Sequence, residues 1–292
     1  MPRLVSVGNV VVDLLVDLPS LPAPGDDVTA TGWGISAGGA FNTLVAARRQ
    51  GLPSVYAGAH GTGPFGDTAR AALAAEDIDC LHSPITDSDT GWDVAITDAA
   101  GERTFLTTVG AEAQLHGDAL ARVELEPGDV LHVSGYSFAR APSGAALASW
   151  VPEVPTGVIV VVDPGPLGDA IPDAVRARAD WWSSAGGEAL GDPQRGSIIR
   201  SGPDGCVLRD PSEAGYEDAM HLRGFPVRAV DTNGAGDTHV GVFAACLALG
   251  FEPRTAAIRA NAAAAIAVTR RGPAAAPSAD ELDAFIASHP AT

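Results

Sequence analysis

The stretch Val158-Ile-Val-Val-Val-Asp163 constrains the fold more than any other part of the chain. Successive side chains of a strand point to opposite faces, so an unbroken β-branched run leaves neither face for water. Such a strand belongs inside a parallel sheet covered by helices on both sides. Shorter runs repeat the pattern: LVSVG at 4–8, SVYAGAHG at 54–61, VLHVSG at 130–135 and SIIRSG at 197–202. Between them lie helical spacings: AGGAFNTLVAARRQG at 37–51, closed by Gly51, DTARAALAAEDI at 67–78 with Asp67 as N-cap, SGAALASWV at 143–151 and DAVRARA at 173–179. Strands alternating with helices imply a doubly wound α/β core.

Three segments break the alternation. TATGWGIS (29–36) reads as an exposed strand, WDVAITDAAGERTFLTT (92–108) as a hairpin, and SGPDGCVL (201–208) as an antiparallel turn late in the sheet. With the apolar run 10–18, the first two form a small β appendage on a mostly parallel core. The expected division is core at 1–9, 37–87 and 111–292, and appendage at 10–36 and 88–110. The C-terminal third reads as helices at 237–249, 253–269 and SADELDAFIAS, where Ser278 and Glu281 fit a capping box.

The formal net charge of −18 argues against nucleic-acid or acidic-membrane partners, which need a positive face. Three cysteines, Cys80, Cys206 and Cys246, lie far apart and suggest neither disulfides nor a zinc site. The N-terminal apolar run is broken by Asn9 and Asp13 and lacks a basic leader, so it reads as a strand and the expected location is cytoplasmic. A chain this acidic that handles phosphate must do so locally, with backbone N–H groups, helix ends or a metal.

Asp231-Thr-Asn-Gly-Ala-Gly-Asp237, followed by VGVFAACLALG, supplies such a place. The N–H groups of Gly234, Ala235 and Gly236 can converge on an anion at a helix N-terminus, where the helix dipole adds to the attraction. Asp237 would repel that anion, unless it takes a proton from a hydroxyl that attacks it. An ordinary helix with an acidic cap fits these residues equally well.

At residues 231–237 the chain resembles the PfkB, or ribokinase-like, family of carbohydrate kinases, whose signature is Asp-Thr-x-Gly-Ala-Gly-Asp. VGNVVVD ending at Asp13, GGAFNTLVAARRQG at 38–51, GPFGD at 63–67, VSGYSF at 133–138, GPDG at 202–205 and RANAAAAIAVTRRG at 259–272 follow in the family's order. The resemblance implies a three-layer α/β/α core with a β-sheet lid over the acceptor, and an ATP- and Mg²⁺-dependent transfer to a hydroxyl, primary by expectation, of a sugar or sugar-like molecule. A nucleoside kinase and a catalytically weak sugar-binding protein are the alternatives. It makes Asp237 the catalytic base, Gly234, Ala235 and Gly236 the anion hole, and Asp13, Gly38, Gly39 and Asn42 the sugar-binding set. Gly202, Gly205, Thr232 and Asn261 fall at nucleotide positions. Glu188 matches a glutamate that organises Mg²⁺ through water, and Asp231 a position where some members hold a monovalent cation such as K⁺. A homodimer paired through the lid is also expected, because open strand edges need a partner.

Three departures stand out. Ala185 replaces the asparagine of the family's Asn-x-x-Glu motif. Gly-Gly-Ala-Phe-Asn replaces the ribokinase lysine segment. His239 stands where phenylalanine is common, either as packing or as a ligand contact. Trp33 and Trp92 in the appendage either stack on a ligand or pack between strands and subunits. The GTGPFG at 61–66 imitates a dinucleotide fingerprint, but Pro64 removes an N–H from the loop and no single acidic residue stands out at the far end of a following strand.

Overall fold

The computed structural model describes residues 1–100, 102–186, 195–211 and 219–289. Thirteen strands are present among them: β1 Leu4–Ser6, β2 Val10–Asp17, β3 Gly32–Gly39, β4 Ser54–Tyr56, β5 Asp79–Cys80, β6 Trp92–Thr97, β7 Arg103–Thr107, β8 Val130–Ser134, β9 Ile159–Asp163, β10 Trp181–Ala185, β11 Gly196–Arg200, β12 Cys206–Arg209 and β13 Met220–Leu222. The helices are α1 Ala40–Arg49, α2 Pro64–Ala75, α3 Gly117–Leu120, α4 Ser143–Trp150, α5 Asp173–Arg178, α6 Ala235–Ala248, α7 Pro253–Ala267 and α8 Ala279–Ser288.

Nine strands make one sheet in the order β13-β12-β11-β10-β9-β8-β1-β4-β5. It is parallel from β5 to β11 and turns antiparallel at β12 and β13. That reversal is the hairpin expected from SGPDGCVL. Two apolar clusters cover the two faces. One joins Leu4, Val130, Val161 and Ile198 to helices α1, α6 and α7. The other joins Val5, Leu131, Val160 and Val162 to Leu147 of α4 and Val175 of α5. Alternate residues of β9 therefore enter opposite cores, as the run 158–163 demands. Buried aliphatic side chains of this kind each contribute on the order of 1.5–3 kcal/mol.

The strand β10 had no apolar run to announce it. Trp181 lies on the α6 side, edge-on to Phe243 with ring centroids 5.0 Å apart. Trp182 enters the other core and receives the Arg176 guanidinium over its ring. Large rings carry the burial at one end of the strand, and Ser183, Ser184 and Ala185 leave the other end thin.

The second sheet has four strands in the order β3-β2-β6-β7. Its centre is the parallel pair β2–β6, flanked by antiparallel β3 and β7. The strand β3 runs past the boundary expected at residue 36 and leads straight into α1. Trp33, Ile35, Phe105 and Leu106 are exposed. Trp92 packs against Phe65 of α2, with rings stacked at 5.5 Å.

Two helix starts differ in detail from expectation. The helix α2 begins at Pro64, so Asp67 sits inside its first turn, paired with Arg70, and is not the N-cap. The cap comes from a distant residue: the Asp89 carboxylate accepts the N–H groups of Phe65 at 3.2 Å and Gly66 at 2.7 Å. At α8, Ser278 Oγ accepts the Glu281 N–H at 3.3 Å, but the Glu281 carboxylate turns to Arg270. Only one arm of the capping box forms. Among the described residues no helix is long and apolar enough to cross a membrane.

Candidate active site

The turn expected to be catalytic lies where α6 starts beside the C-terminal ends of β9 and β11. Gly234 adopts the left-handed conformation (φ 70°) as N-cap of α6, a backbone state that a side chain disfavours. Among the described residues the N–H groups of Gly234 and Gly236 make no hydrogen bond, and Ala235 reaches only the Thr232 carbonyl at 3.4 Å. First-turn N–H groups have no partner inside their own helix, so this end presents open donors. Asp237 follows at once. Burial pushes its carboxyl up to about 6; the Asn42 hydrogen bond opposes that shift, Asp163 adds to it and Arg200 counters it.

Asn42, on α1, is spent on both ends. Its Nδ2 donates to Asp237 Oδ2 at 2.9 Å, and its Oδ1 accepts the Ala274 N–H at 2.9 Å. Asp13 is buried on β2, in register with Asp93 of the neighbouring strand β6. Burial raises the Asp13 carboxyl to about 7, helped by the charges of Asp93 and Asp237 and opposed by a hydrogen bond with Asn233. Gly38 lies against the Asp13 carboxylate and Gly39 (φ 62°) against the Asn9 carbonyl, so a Cβ at either would collide. Asp13, Gly38, Gly39, Asn42 and the 234–237 turn thus converge from β2, β3, α1 and α6.

Sequence reasoning missed Asp93. Its Oδ1 is buried with no partner among the described residues, and burial lifts its carboxyl to about 6. The available signal was its alternation with Trp92 and Val94 in a strand expected to form the appendage. No ion pair involves Asp13 or Asp93 among the described residues, so the two carboxyls in register on β2 and β6 have no counter-ion to hold them in their charged forms.

The positions expected on the nucleotide side are more dispersed. Gly202 and Gly205, both at positive φ, flank the single turn joining β11 to β12. Asn261 is buried in α7; its Nδ2 donates to the carbonyls of Leu222 (3.1 Å) and Arg223 (3.3 Å), and its Oδ1 pairs with His239 Nε2 at 3.1 Å. Its side chain thus ties β13 to α6. His239 is equally buried, and its burial lowers its pKa to about 3, so it packs as a neutral ring. Asp231 accepts N–H groups from Asn233 (2.9 Å) and Gly272 (3.0 Å), and Arg103 of β7 stands 4.0 Å away. The same arginine hydrogen-bonds Thr232 Oγ1. These residues edge a cleft of about 510 Å³ between the small sheet and the core, which Arg271 and Asp17 span at 3.6 Å. Glu188 lies outside the described residues. Among the described residues no group of three or more metal-ligating side chains occurs.

The profile described as "pfkB family carbohydrate kinase" matches residues 1–154 and 185–280. A sugar kinase of Escherichia coli (strain K12), YegV, described as uncharacterized, is 32% identical over 94% of this chain and 91% of its own. The ribokinase of Haemophilus influenzae is 26% identical over 91% of this chain and 92% of its own. A crystal structure of a putative ribokinase II from E. coli, in complex with ATP and Mg²⁺, superposes with a TM-score of 0.79 at 23% identity, covering 99% of this chain and all of its own. The fold is shared throughout.

Proposed function

The chain belongs to the pfkB family of carbohydrate kinases, and from that premise we propose that it transfers the terminal phosphoryl group of ATP to a hydroxyl of an unphosphorylated, uncharged polyhydroxy acceptor. The acceptor lies between the small sheet and the core, with the sheet acting as its lid. The observation that carries this reading is the pairing of open N–H groups at 234 and 236 with a partly buried carboxylate at 237. Asp237 accepts the proton of the attacking hydroxyl, and Asn42 holds that carboxylate in place. Asp13 and Asp93 accept hydrogen bonds from further hydroxyls, which suits donors and repels a phosphate already on the acceptor. The N–H groups of the turn meet the charge that builds on the transferring phosphoryl.

When bound with the nucleotide, Mg²⁺ would supply neutralising charge to the phosphates. Its need for few direct protein ligands fits a site where Ala185 replaces an amide, with Glu188 the residue assigned to its water shell. A monovalent cation at Asp231 finds less support, because that carboxylate already accepts two N–H groups and has Arg103 beside it. The exposed Trp33, Ile35, Phe105 and Leu106 support a homodimer formed through the small sheet.

ADP release, measured across free pentoses, hexoses and polyols, their phosphorylated forms, and nucleosides, tests the reading. Turnover is expected with a free sugar or polyol. ADP release with phosphorylated acceptors alone or with none would overturn it, and release with nucleosides alone would overturn the expectation of a free sugar or polyol.

A further inference from the structure

Beneath the catalytic turn lies an ion pair that the acceptor chemistry does not use. Asp163 ends β9 and Arg200 ends β11, with β10 between them. By the pairing registers, Asp163, Ser183, Ala185 and Arg200 share the face of the sheet that α6 covers. The small side chains at 183 and 185 leave room for the pair to reach across β10. Arg200 Nη1 and Nη2 each lie 3.1 Å from an Asp163 carboxylate oxygen. The two side chains are only 11% and 13% exposed. Arg200 Nη1 also donates to the Gly236 carbonyl at 3.2 Å, and a Cβ built on Gly236 would lie 3.6–3.8 Å from the guanidinium.

Burial works against the charge on both partners, yet Asp163 holds Arg200 protonated and Arg200 keeps the Asp163 carboxyl below its usual range. A buried pair locked at two points stabilises little in itself, and removing one partner leaves an uncompensated charge. Its value therefore lies in where the cation is held.

We propose that Arg200 is a positioning residue for phosphoryl transfer: clamped by Asp163, it fixes the 234–237 turn through the Gly236 carbonyl and sets a buried positive charge beside the open N–H groups and Asp237. The cation adds to the field of the α6 N-terminus where negative charge develops, and it favours the ionised form of the base. Ala185 and Arg200 are register partners, so the strand end that lacks an amide at 185 has a guanidinium next to it. The inference rests on the kinase reading for its functional half; its electrostatic half stands on the geometry alone.

The test compares the parent with Arg200→Met, Arg200→Lys and Asp163→Asn. The first readout needs no substrate: the carboxyl carbon of Asp237 is titrated by NMR in the free protein. The groups acting on that carboxyl are Asn42 of α1, Asp13 of β2, Tyr136 after β8, Asp163 of β9 and Arg200 of β11. Removing the cation in Arg200→Met is expected to move its titration to higher pH, while Arg200→Lys holds it close to the parent. The second readout is turnover with the acceptor found by ADP release. Arg200→Met is expected to lower kcat about 100-fold, with the acceptor KM changed less than threefold and the acid limb of the pH profile displaced upward. Arg200→Lys should recover about a tenth or more of parent kcat, and Asp163→Asn should fall between the two arginine variants.

An unmoved Asp237 titration in Arg200→Met, or kcat within threefold of the parent, overturns the proposal. Equal loss in Met and Lys variants with an unmoved pH profile also overturns it, since that is the mark of a packing role. If Arg200→Met does not fold, the Lys and Asn variants decide by the same two readouts. A parent that turns over no acceptor refutes the kinase reading but leaves the titration to judge Arg200.

Discussion

Two helix N-termini in this chain look alike as sequence and differ as chemistry. GTGPFG leads into α2, and DTNGAGD leads into α6. Both offer glycines and a run of N–H groups at the positive end of a helix dipole. At α2 the Asp89 carboxylate already occupies that end, taking the Phe65 and Gly66 N–H groups. At α6 the Gly234 and Gly236 N–H groups have no such partner among the described residues, and the nearest carboxylate, Asp237, is held by Asn42 instead. Glycines make an anion site possible; what distinguishes a cap from a catalytic site is whether the protein supplies its own anion. Asp89 accepts at a helix end, whereas Asp237 is itself held by a donor from another helix.

The comparison breaks most visibly at Asp237. Asp237→Asn is expected to lower kcat by about 10²–10⁴-fold, read by ADP release with protein of parental melting temperature. Retention of more than a tenth of parental turnover would make α6 a capped helix like α2. The pH profile sharpens the same point. Asp237 must be ionised to take a proton, and Asp13 to accept hydrogen bonds at both oxygens; burial sets them at about 6 and about 7. The rate kcat/KM should therefore fall tenfold per pH unit below about 7 and a hundredfold per pH unit below about 6, whereas ordinary exposed carboxylates would place the fall near 4.

Asp13 offers a stability readout. Its folded-state pKa is raised, so its favourable contribution to folding is present below pH 4 and is lost as pH rises through about 7. Asp13→Asn should accordingly raise the melting temperature of the free protein at pH 8, and the gain should vanish at pH 4, while acceptor binding is lost. Last comes the structural partner of the comparison. Asp89→Ala is expected to cost about 1 kcal/mol through the lost cap of α2, seen in urea unfolding, with KM for ATP unchanged. Removing Asp67 should cost about 0.3 kcal/mol, the worth of an exposed pair with Arg70.

Much of the fold was legible because burial on both faces leaves unbroken apolar runs, and β1, β8, β9 and β11 carry them. The strand β10 was not, because its burial is carried by two tryptophans while its other end must stay small for the Asp163–Arg200 pair. The start of α6 after 231–234 was legible because a glycine-rich helix end is local in sequence. Asp13 and Asn42 could be named by resemblance, but not their geometry: only the fold shows that Asn42 also grips Ala274. Asp89, Asp93, Asp163 and Arg200 escaped because each acts on a residue many positions away, and hydrophobic periodicity carries no information about which polar ends meet. A carboxylate closing an apolar strand, as Asp163 does at the end of β9, was the one signal that could have found it.

The double use of Asn42 closes a route to change. One oxygen accepts from Ala274 and one nitrogen donates to the catalytic carboxylate, so the residue must be donor and acceptor at once. Aspartate, the product of spontaneous deamidation, would set a carboxylate oxygen against Asp237 across a 2.9 Å gap. Glutamine keeps both functions but adds a methylene in a buried position. The position is thus fixed by chemistry as well as by space: no exchange that loses either end of the amide, or lengthens the side chain in so buried a place, keeps both contacts.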